Sequence, residues 1–459
     1  MVSRQECDDV SEGVPMTAVV HRDARPAPVS DLDGEHRPVV VVGGGQAGLA
    51  MSRCLGVRGI DHLVLERDVV ASSWKRYRWD TFCLVTPNWQ CDLPDFPYAG
   101  DDPHGFMVRE EIIGYLEAYR EFVDPPLREG VTVTRLTRDE RGTFTLETTA
   151  GTCTADQVVV ATGGYHTPVV PSLTEPLPTG ITQVQSQDYR SGAQLPPGEV
   201  LVVGSGQSGA QIAEDLHLEG RRVHLAVGSA PRVARFHRGR DVTDWLDEMG
   251  YYRMPVTEHP RREAVRAQAN HYVTGRDGGR DIDLRRFAAE GMRLYGSLAD
   301  HAGGALRFRP DLAAALDHAD EVCESIKETI DAHIERNGID APPGERYTPV
   351  WRPEQETTEL ALDGSGITSV VWCVGFRQDF GWIDVPVFTG RGTPVHTRGA
   401  TSVPGLFFLG LPWQWTWGSG RFSGVGQDAG YLAERIRSQR GLVTTGGRGD
   451  VCNVLALGS

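Results

Sequence analysis

Twice in this chain an apolar run of strand length stops at a glycine-rich turn and continues with helical spacing. The first instance is Pro38-Val-Val-Val-Val-Gly43, leading into Gly43-Gly44-Gly45-Gln46-Ala47-Gly48, a helical stretch from Ala47 to Val57, and a short second run, His62-Leu-Val-Leu-Glu66. The second is Glu199-Val-Leu-Val-Val-Gly204, leading into Gly204-Ser205-Gly206-Gln207-Ser208-Gly209, a helical stretch from Ala210 to Leu218, and Arg222-Val-His-Leu-Ala-Val227. An unbroken β-branched run predicts a strand buried on both faces, which a parallel sheet covered by helices supplies. The order strand, loop, helix, strand is a β-α-β unit, and glycines at those positions let the backbone approach a pyrophosphate at the helix N-terminus. Two such units predict an α/β chain with two dinucleotide-binding, Rossmann-like domains.

The two units differ in charge. Glu66 ends the second strand of the first unit and offers a carboxylate to a ribose diol. The matching strand of the second unit ends Val227-Gly-Ser229-Ala-Pro-Arg232 and has no acid. An acid there would repel a 2′-phosphate, whereas Ser229 and Arg232 would donate to one, so the charge logic favours NADPH over NADH. Arg235, His237 and Arg238 add positive charge nearby.

Composition narrows the class. A length of 459 residues implies two or three domains, and 54 glycines without a period belong to turns and close approaches rather than a repeat. A net charge of −16 argues against a nucleic-acid partner, because phosphate backbones need a basic face. The eight cysteines are scattered, with no CxxC and no metal-ligand spacing, so no metal site and no redox pair is expected. With no stretch of 18 apolar residues and no signal-like start, a cytoplasmic chain without a membrane partner is expected. His166 and His224 lack companions at useful spacing and are taken as structural.

Between the units, Thr132 to Leu136 and Thr143 to Thr149 read as an antiparallel ribbon and Gln157-Val-Val-Val-Ala161-Thr162-Gly163 as a buried strand ending in glycine. Helical spacing recurs at Asp283 to Leu298 and Asp317 to Asn337, and His237 to Asp281 reads as irregular loops. Gly366 to Gly375 and Gly405 to Gly410 return to the strand-then-glycine pattern, and a closing helix is expected near Gln427 to Gln439. The partition is a flexible leader 1–36, a discontinuous first domain 37–196 plus 356–440, an inserted second domain 197–355, and a tail 441–459.

Several ordered motifs resemble the flavin-containing monooxygenases in the broad sense. Glu66 is followed by Trp74, similar to that family's acid-to-GGxW segment, with Ser72-Ser73-Trp74 in place of Gly-Gly-x-Trp. Arg78-Trp79-Asp80 and Thr86-Pro-Asn88-Trp-Gln90-Cys-Asp-Leu-Pro94 look like its flavin-edge segment. Ala161-Thr162-Gly163 and Trp372-Cys-Val-Gly-Phe376 resemble its two strand ends, and Gly405 to Ala429 its C-terminal flavin segment. The likeness covers about residues 38 to 436 and lies nearest an uncharacterised bacterial branch often found beside nitrilase genes.

The resemblance implies a glutathione-reductase-like two-domain flavoprotein holding FAD and NADPH. FAD would be held by Gly43, Gly45, Gln46, Ala47, Gly48, Glu66, Arg67, Trp74, Trp79, Thr86, Val133, Ala161 to Gly163, Gly410 and Gln427. NADPH would be held by Gly204 to Gly209, Ser229 and Arg232. It further implies oxygenation of a small nitrogen- or sulfur-bearing substrate by O2 through a flavin C4a-peroxide, with Asn88, Gln90, Trp417 and Arg421 as candidate catalytic residues. Arg421, amid apolar neighbours, suits an anion, either a flavin phosphate or a substrate carboxylate. Trp413, Trp415 and Trp417 alternate, a spacing that lines a pocket face or fills a core.

The family's fingerprint FxGxxxHxxx(Y/F/W) is altered here to Gly180-Ile-Thr-Gln-Val-Gln185-Ser-Gln-Asp-Tyr189, with Gln185 at the histidine and Tyr189 at the last position. That departure keeps open an NADPH oxidase or an electron-transfer reductase that oxygenates nothing. A disulfide reductase would need a cysteine pair that the sequence does not show, and a nucleotide sensor is the remaining class. A homodimer stays open.

Overall fold

The computed structural model describes residues 31–445, with side chains to Gln439. Two sheets organise it. The first has seven strands, in the order Leu127–Arg128, Leu63–Leu65, His36–Val42, Gly151–Val160, Phe144–Thr148, Val133–Arg138, with Leu406–Phe408 also paired to Gly151–Val160. The four-valine run is parallel to both its neighbours, with Val40 opposite Leu63 and Val158. Its side chains alternate between two apolar cores. Val39 and Val41 join Leu49, Met51 and Val425, whereas Val40 and Val42 join Phe144, Leu146 and Phe408. Burial on both faces is the reason the run carries no polar residue, and each valine withdrawn from water contributes about 1.5 kcal/mol or more.

The second sheet is wholly parallel, in the order Thr182–Gln185, Ile367–Trp372, Glu199–Val203, Val223–Ala226, Arg293–Tyr295. The same alternation holds. Val200 and Val202 belong to the core that also contains Val39 and Val41, and Leu201 and Val203 face a separate core with Tyr295 and Phe308. One apolar core therefore runs through both units.

Several expectations need correction. Thr182–Gln185 and Ile367–Trp372, expected within the first domain, are strands of the second sheet. Ile367–Trp372 carries the apolar, β-branched residues and pairs Val371 with Val202 along the edge of Glu199–Val203 that Val223–Ala226 leaves open, and Thr182–Gln185 adds to its far side as the edge strand. Asp283 to Leu298 is not one helix. The helix Leu284–Ala289 stops before Gly291 at φ +109°, and Arg293–Tyr295 pairs as the outer strand beside Val223–Ala226. Two helices are longer than expected, Leu312–Asn337 and Phe422–Thr445. The end of the expected leader is docked: Leu32 is fully buried and its N–H donates to Ala150 O at 2.8 Å. The rest of that leader, 1–30, and the tail beyond 445 lie outside the described residues.

Candidate nucleotide sites and the cavity between them

In both glycine loops the outer glycines are required by packing and the middle one is open. A Cβ on Gly43 would lie 2.5 Å from Ala161 O, and one on Gly48 would lie 1.8 Å from Gly43 O. In the second loop a Cβ on Gly204 would lie 2.6 Å from Cys373 O and one on Gly209 1.9 Å from Gly204 O. At Gly45 and Gly206 a Cβ would meet nothing within 4 Å. These two residues are the N-caps of helices Gln46–Gly56 and Gln207–Leu218, and neither helix has a side-chain cap. Each loop thus presents uncapped N–H groups and the positive end of a helix dipole to open space, a donor set that suits a pyrophosphate.

The second residue of each loop ties it to the tip of the next strand by different means. Glu66 Oε2 accepts from Gly44 N at 2.6 Å and Oε1 from Asp68 N at 2.9 Å. Burial pushes the Glu66 carboxyl above its ordinary range, against the pull of those two donors. In the second loop Ser205 Oγ accepts from Gly228 N at 3.0 Å. A neutral hydroxyl does there what a carboxylate does in the first, so the strand end stays free of negative charge. The matched glutamines anchor outward: Gln46 Nε2 donates to Gly420 O at 3.0 Å and Gln207 Nε2 to Val273 O at 2.7 Å.

Around the first loop, Gly410 at φ +84° packs so closely that a Cβ would lie 2.8 Å from Ala47 Cβ. Ala161 N donates to Val42 O at 2.7 Å, and Thr162 and Gly163 continue the chain beside that loop. Trp74 stacks on Phe422 at 5.9 Å and Trp79 meets Phe82 edge-on at 4.9 Å. Thr86 is half-buried, Ser208 sits in the first turn of its helix, and Arg67, Ser229 and Gln427 are exposed. Val133 offers only an apolar side chain, packed in the core with Val42 and Leu65.

The candidate catalytic residues divide. Gln90 is 3% exposed, and neither its Oε1 nor its Nε2 has a hydrogen-bond partner among the described residues. An orphaned buried amide costs stability unless another group satisfies it, which fits a flavin edge. Asn88 is engaged at both ends. Its Nδ2 donates to Asp102 O at 2.9 Å and its Oδ1 accepts from Met107 N at 2.7 Å, so the amide clamps the 102–107 loop. Trp417 and Arg421 come together, with Arg421 Cζ 3.7 Å from the Trp417 ring centroid. The three tryptophans do not share one face. Trp413 packs on Val256 and Val265, Trp415 faces the Arg398 guanidinium, and Trp417 meets Tyr252 at 4.4 Å.

Arg232 is engaged as well. It is 3% exposed, its Nε donates to Asp320 Oδ1 at 2.6 Å, and its guanidinium lies 4.0 Å from the Tyr347 ring. A buried guanidinium needs a carboxylate, and Asp320 supplies one at Nε, while Nη2 has no hydrogen-bond partner among the described residues. Arg235 is likewise buried, on Asp241 at 2.7 Å, and His237 on Asp331 at 2.9 Å. The fingerprint tyrosine is structural. The Tyr189 hydroxyl donates to Asp215 Oδ2 at 2.9 Å, and Thr81 and Arg276 also bond that carboxylate, joining the two units. The Gln185 carbonyl accepts from Asp188 and Tyr189 N–H groups, closing a turn. His224 sits between Glu199 and Tyr295, as a structural histidine does.

Sequence reasoning missed Tyr252 and Asn270, which meet Trp417 and Arg421. Nothing local marks Asn270, which reaches Arg421 across 151 positions of chain. Among the described residues no group of histidines, cysteines or acids is arranged to hold a metal, no helix is long and apolar enough to cross a membrane, and the six cysteines are buried and unpaired.

Paired β-α-β loops, one on a mixed and one on a parallel sheet, with uncapped helix ends at both, define an oxidoreductase of the two-dinucleotide class. The chain belongs to the pyridine nucleotide-disulphide oxidoreductase family, whose pattern matches residues 40–277. It is 30% identical over 400 residues to an uncharacterized CzcO-like oxidoreductase of Geobacillus kaustophilus, covering 87% of this chain and 97% of that one. Indole-3-pyruvate monooxygenase YUCCA4 of rice is 33% identical over 225 residues, 45% of this chain and 51% of its own length. In fold the chain is similar to a flavin-containing monooxygenase from Stenotrophomonas maltophilia, with TM-score 0.61 and 18% identity over 88% of this chain and 99% of that one. The resemblance to flavin-containing monooxygenases therefore extends to the whole two-domain architecture.

Proposed function

We propose that the chain holds FAD at the first loop and NADPH at the second, and oxygenates a small nitrogen- or sulfur-bearing compound. The observation that carries the reading is the paired loops, alike in their open middle glycines and unlike in the residue at the adjoining strand tip. Bound FAD would supply two-electron redox chemistry and oxygen activation, and NADPH the hydride. The chain supplies the rest. Gly45 and Gly206 leave room for the two pyrophosphates at helix ends, and Glu66 stands ready to exchange its Gly44 bond for a ribose hydroxyl. With Arg232 committed to Asp320, NADPH preference rests on the missing acid at Gly228 and on exposed Ser229. Gln90 offers an amide to a flavin edge, and Asn88 fixes the neighbouring 102–107 loop.

Reading the same nucleotide sites without substrate oxygenation is favoured by one residue, Gln185, where the fingerprint has histidine. Anaerobic titration of the purified protein with NADPH, followed by oxygen, separates the two. NADPH should bleach the flavin, and a panel of amines and thioethers should include one that lowers the hydrogen peroxide formed per NADPH consumed. Stoichiometric peroxide with every candidate would leave only the oxidase reading. A purified protein without flavin would end both.

A further inference from the structure

The helix Gln207–Leu218, which opens at the second glycine loop, carries a carboxylate on which three separate parts of the chain converge. Asp215 is 1% exposed. Its Oδ1 accepts from Thr81 Oγ1 in the first unit and from Arg276 Nη1 at 2.9 Å, and its Oδ2 accepts from the Tyr189 hydroxyl, in the linker between the units, at 2.9 Å. Thr81 and Tyr189 are also joined through their neighbours, where Asp80 N donates to Arg190 O at 2.9 Å. A buried carboxylate that loses a donor loses more than one ordinary hydrogen bond, so the helix and its three partners are held as a set.

Arg276 belongs to a turn, 273–280, that is seated on both units. Thr274 and Arg280 pair as an antiparallel bridge, and the chain reverses between them through Asp277, Gly278 and Gly279, all at positive φ. Against the first unit the fit is close: a Cβ on Gly275 would lie 2.1 Å from Leu84 O, and one on Gly279 2.7 Å from the Phe106 ring. Against the second unit, Gln207 Nε2 donates to Val273 O at 2.7 Å, Arg276 reaches Asp215, and Arg280 lies 3.0 Å from Glu214. The turn thus grips the nucleotide-loop helix at its first residue and again about two turns further on. The surface it meets on the first unit leads straight to the flavin-edge segment, since Leu84 N donates to Met107 O at 2.9 Å and Met107 N to Asn88 Oδ1 at 2.7 Å. Further cross-unit bonds, from Arg235 to Val85 O, Trp89 to Asp244 and Arg421 to Asn270, engage residues 235–270, outside the second β-α-β unit.

We propose that Asp215 is a positioning residue for flavin reduction: through Thr81, Tyr189 and the 273–280 turn it fixes the helix of the second loop against the flavin-edge segment, and so fixes where NADPH stands for hydride transfer. This rests on the two-nucleotide reading above. The step is NADPH + FAD giving NADP⁺ + FADH⁻, the hydride carrying the electron pair across. Asp215 lies about two helical turns from the loop that receives the pyrophosphate, so its loss should alter placement rather than affinity. A displacement of about 1 Å between reacting groups can cost on the order of 100-fold in rate. The test compares the FAD-loaded full chain with Asp215→Asn, Thr81→Val and Thr81→Ser. Anaerobic stopped-flow mixing with NADPH gives the limiting reduction rate and the Kd separately, and hydrogen exchange without NADPH reads the turn itself. Asp215→Asn should lower the limiting rate at least about tenfold with Kd within about threefold. Amides of 273–280 should exchange at least about tenfold faster, and those of 43–48 as in the wild type. Thr81→Val, at an exposed position, should shift rate and exchange the same way by several-fold, and Thr81→Ser, which keeps the hydroxyl, should match the wild type. That pair carries the test if Asp215→Asn does not fold.

A carboxylate that only stabilises the fold would lower Tm or flavin content and leave the limiting rate per bound flavin unchanged, which overturns the proposal. So does unchanged exchange across 273–280, a rate loss matched by an equal loss of NADPH affinity, or a Thr81→Ser protein as slow as Thr81→Val. A wild-type flavin that NADPH does not reduce would overturn the two-nucleotide reading and this proposal with it. Variants reduced as fast as a wild type that NADPH does reduce would overturn the proposal alone.

Discussion

Replacing Gly206 and Gly209 by alanine, one at a time, should separate ligand space from packing space within a single loop. At Gly209 the added Cβ would fall 1.9 Å from Gly204 O and 3.0 Å from Cys373 Cβ, and a backbone carbonyl cannot rotate away. The helix Gln207–Leu218 would have to lift off the sheet, an overpacking that costs about 1–3 kcal/mol or more. For a unit of this size that corresponds to a fall in Tm of roughly 2–12 °C. At Gly206 the Cβ would meet no protein atom within 4 Å, and the backbone at φ −65°, ψ −177° is open to any residue. The lost N-cap preference and the reduced freedom of the unfolded chain are each worth about 0.5–1 kcal/mol with opposite sign, so Tm should stay within a few degrees of the wild type. That same methyl would stand where a pyrophosphate must approach, and NADPH affinity should fall by at least about tenfold, one charge-assisted hydrogen bond or more. Thermal unfolding followed by tryptophan fluorescence, paired with NADPH titration of the same samples, reads both quantities. Wild-type NADPH affinity in Gly206→Ala would refute the phosphate cradle, and an unchanged Tm in Gly209→Ala would refute the close approach.

Two further outcomes follow from buried charges. Arg232→Ala should destabilise the protein by about 1–3 kcal/mol by removing one of the two guanidiniums on Asp320, Arg285 remaining at 2.9 Å, and Arg232→Lys should rescue little because the contact with the Tyr347 ring is lost; chemical denaturation measures this, and a folded variant with a selectively raised KM for NADPH would restore the phosphate role. Glu214, 2% exposed beside Arg280 at 3.0 Å, has its carboxyl pushed up to about 7, chiefly by burial. The folded chain then holds a proton that the unfolded chain loses near pH 4.5, so this group's contribution is complete below that pH and is lost as pH rises through about 7. Glu214→Gln should therefore raise stability relative to wild type at pH 8, by on the order of 1–3 kcal/mol, and change it little at pH 4.5; equal effects at both pH values would contradict a raised carboxyl.

Much of the frame was legible because the signals are local. Four consecutive valines before three glycines specify a two-sided strand and the turn after it, and the same holds from Glu199 to Gly209. Glu66 and the missing acid near Gly228 were equally readable, since both follow from position in a β-α-β unit. Elsewhere local patterns misled. Asp283 to Leu298 has helical spacing, yet Arg293–Tyr295 is captured by a free sheet edge. Arg232 has the right place for a phosphate ligand, yet Asp320, 88 positions away, claims it. Asn88 has the right neighbours for chemistry, yet both ends of its amide are bound by the backbone of a neighbouring loop.

What the sequence alone determined is the two nucleotide units and the difference in charge between them, because strand periodicity, glycine turns and a strand-end acid act over a few residues. What only the tertiary structure decided is which polar groups remain free. Arg232, Asn88 and Tyr189 are engaged by partners 14 to 88 positions away, while the buried Gln90 amide has no partner and Arg78 and Arg421 bond no carboxylate among the described residues. A side chain's availability depends on every group within a few ångströms of it, and those groups come from parts of the chain that no local pattern connects.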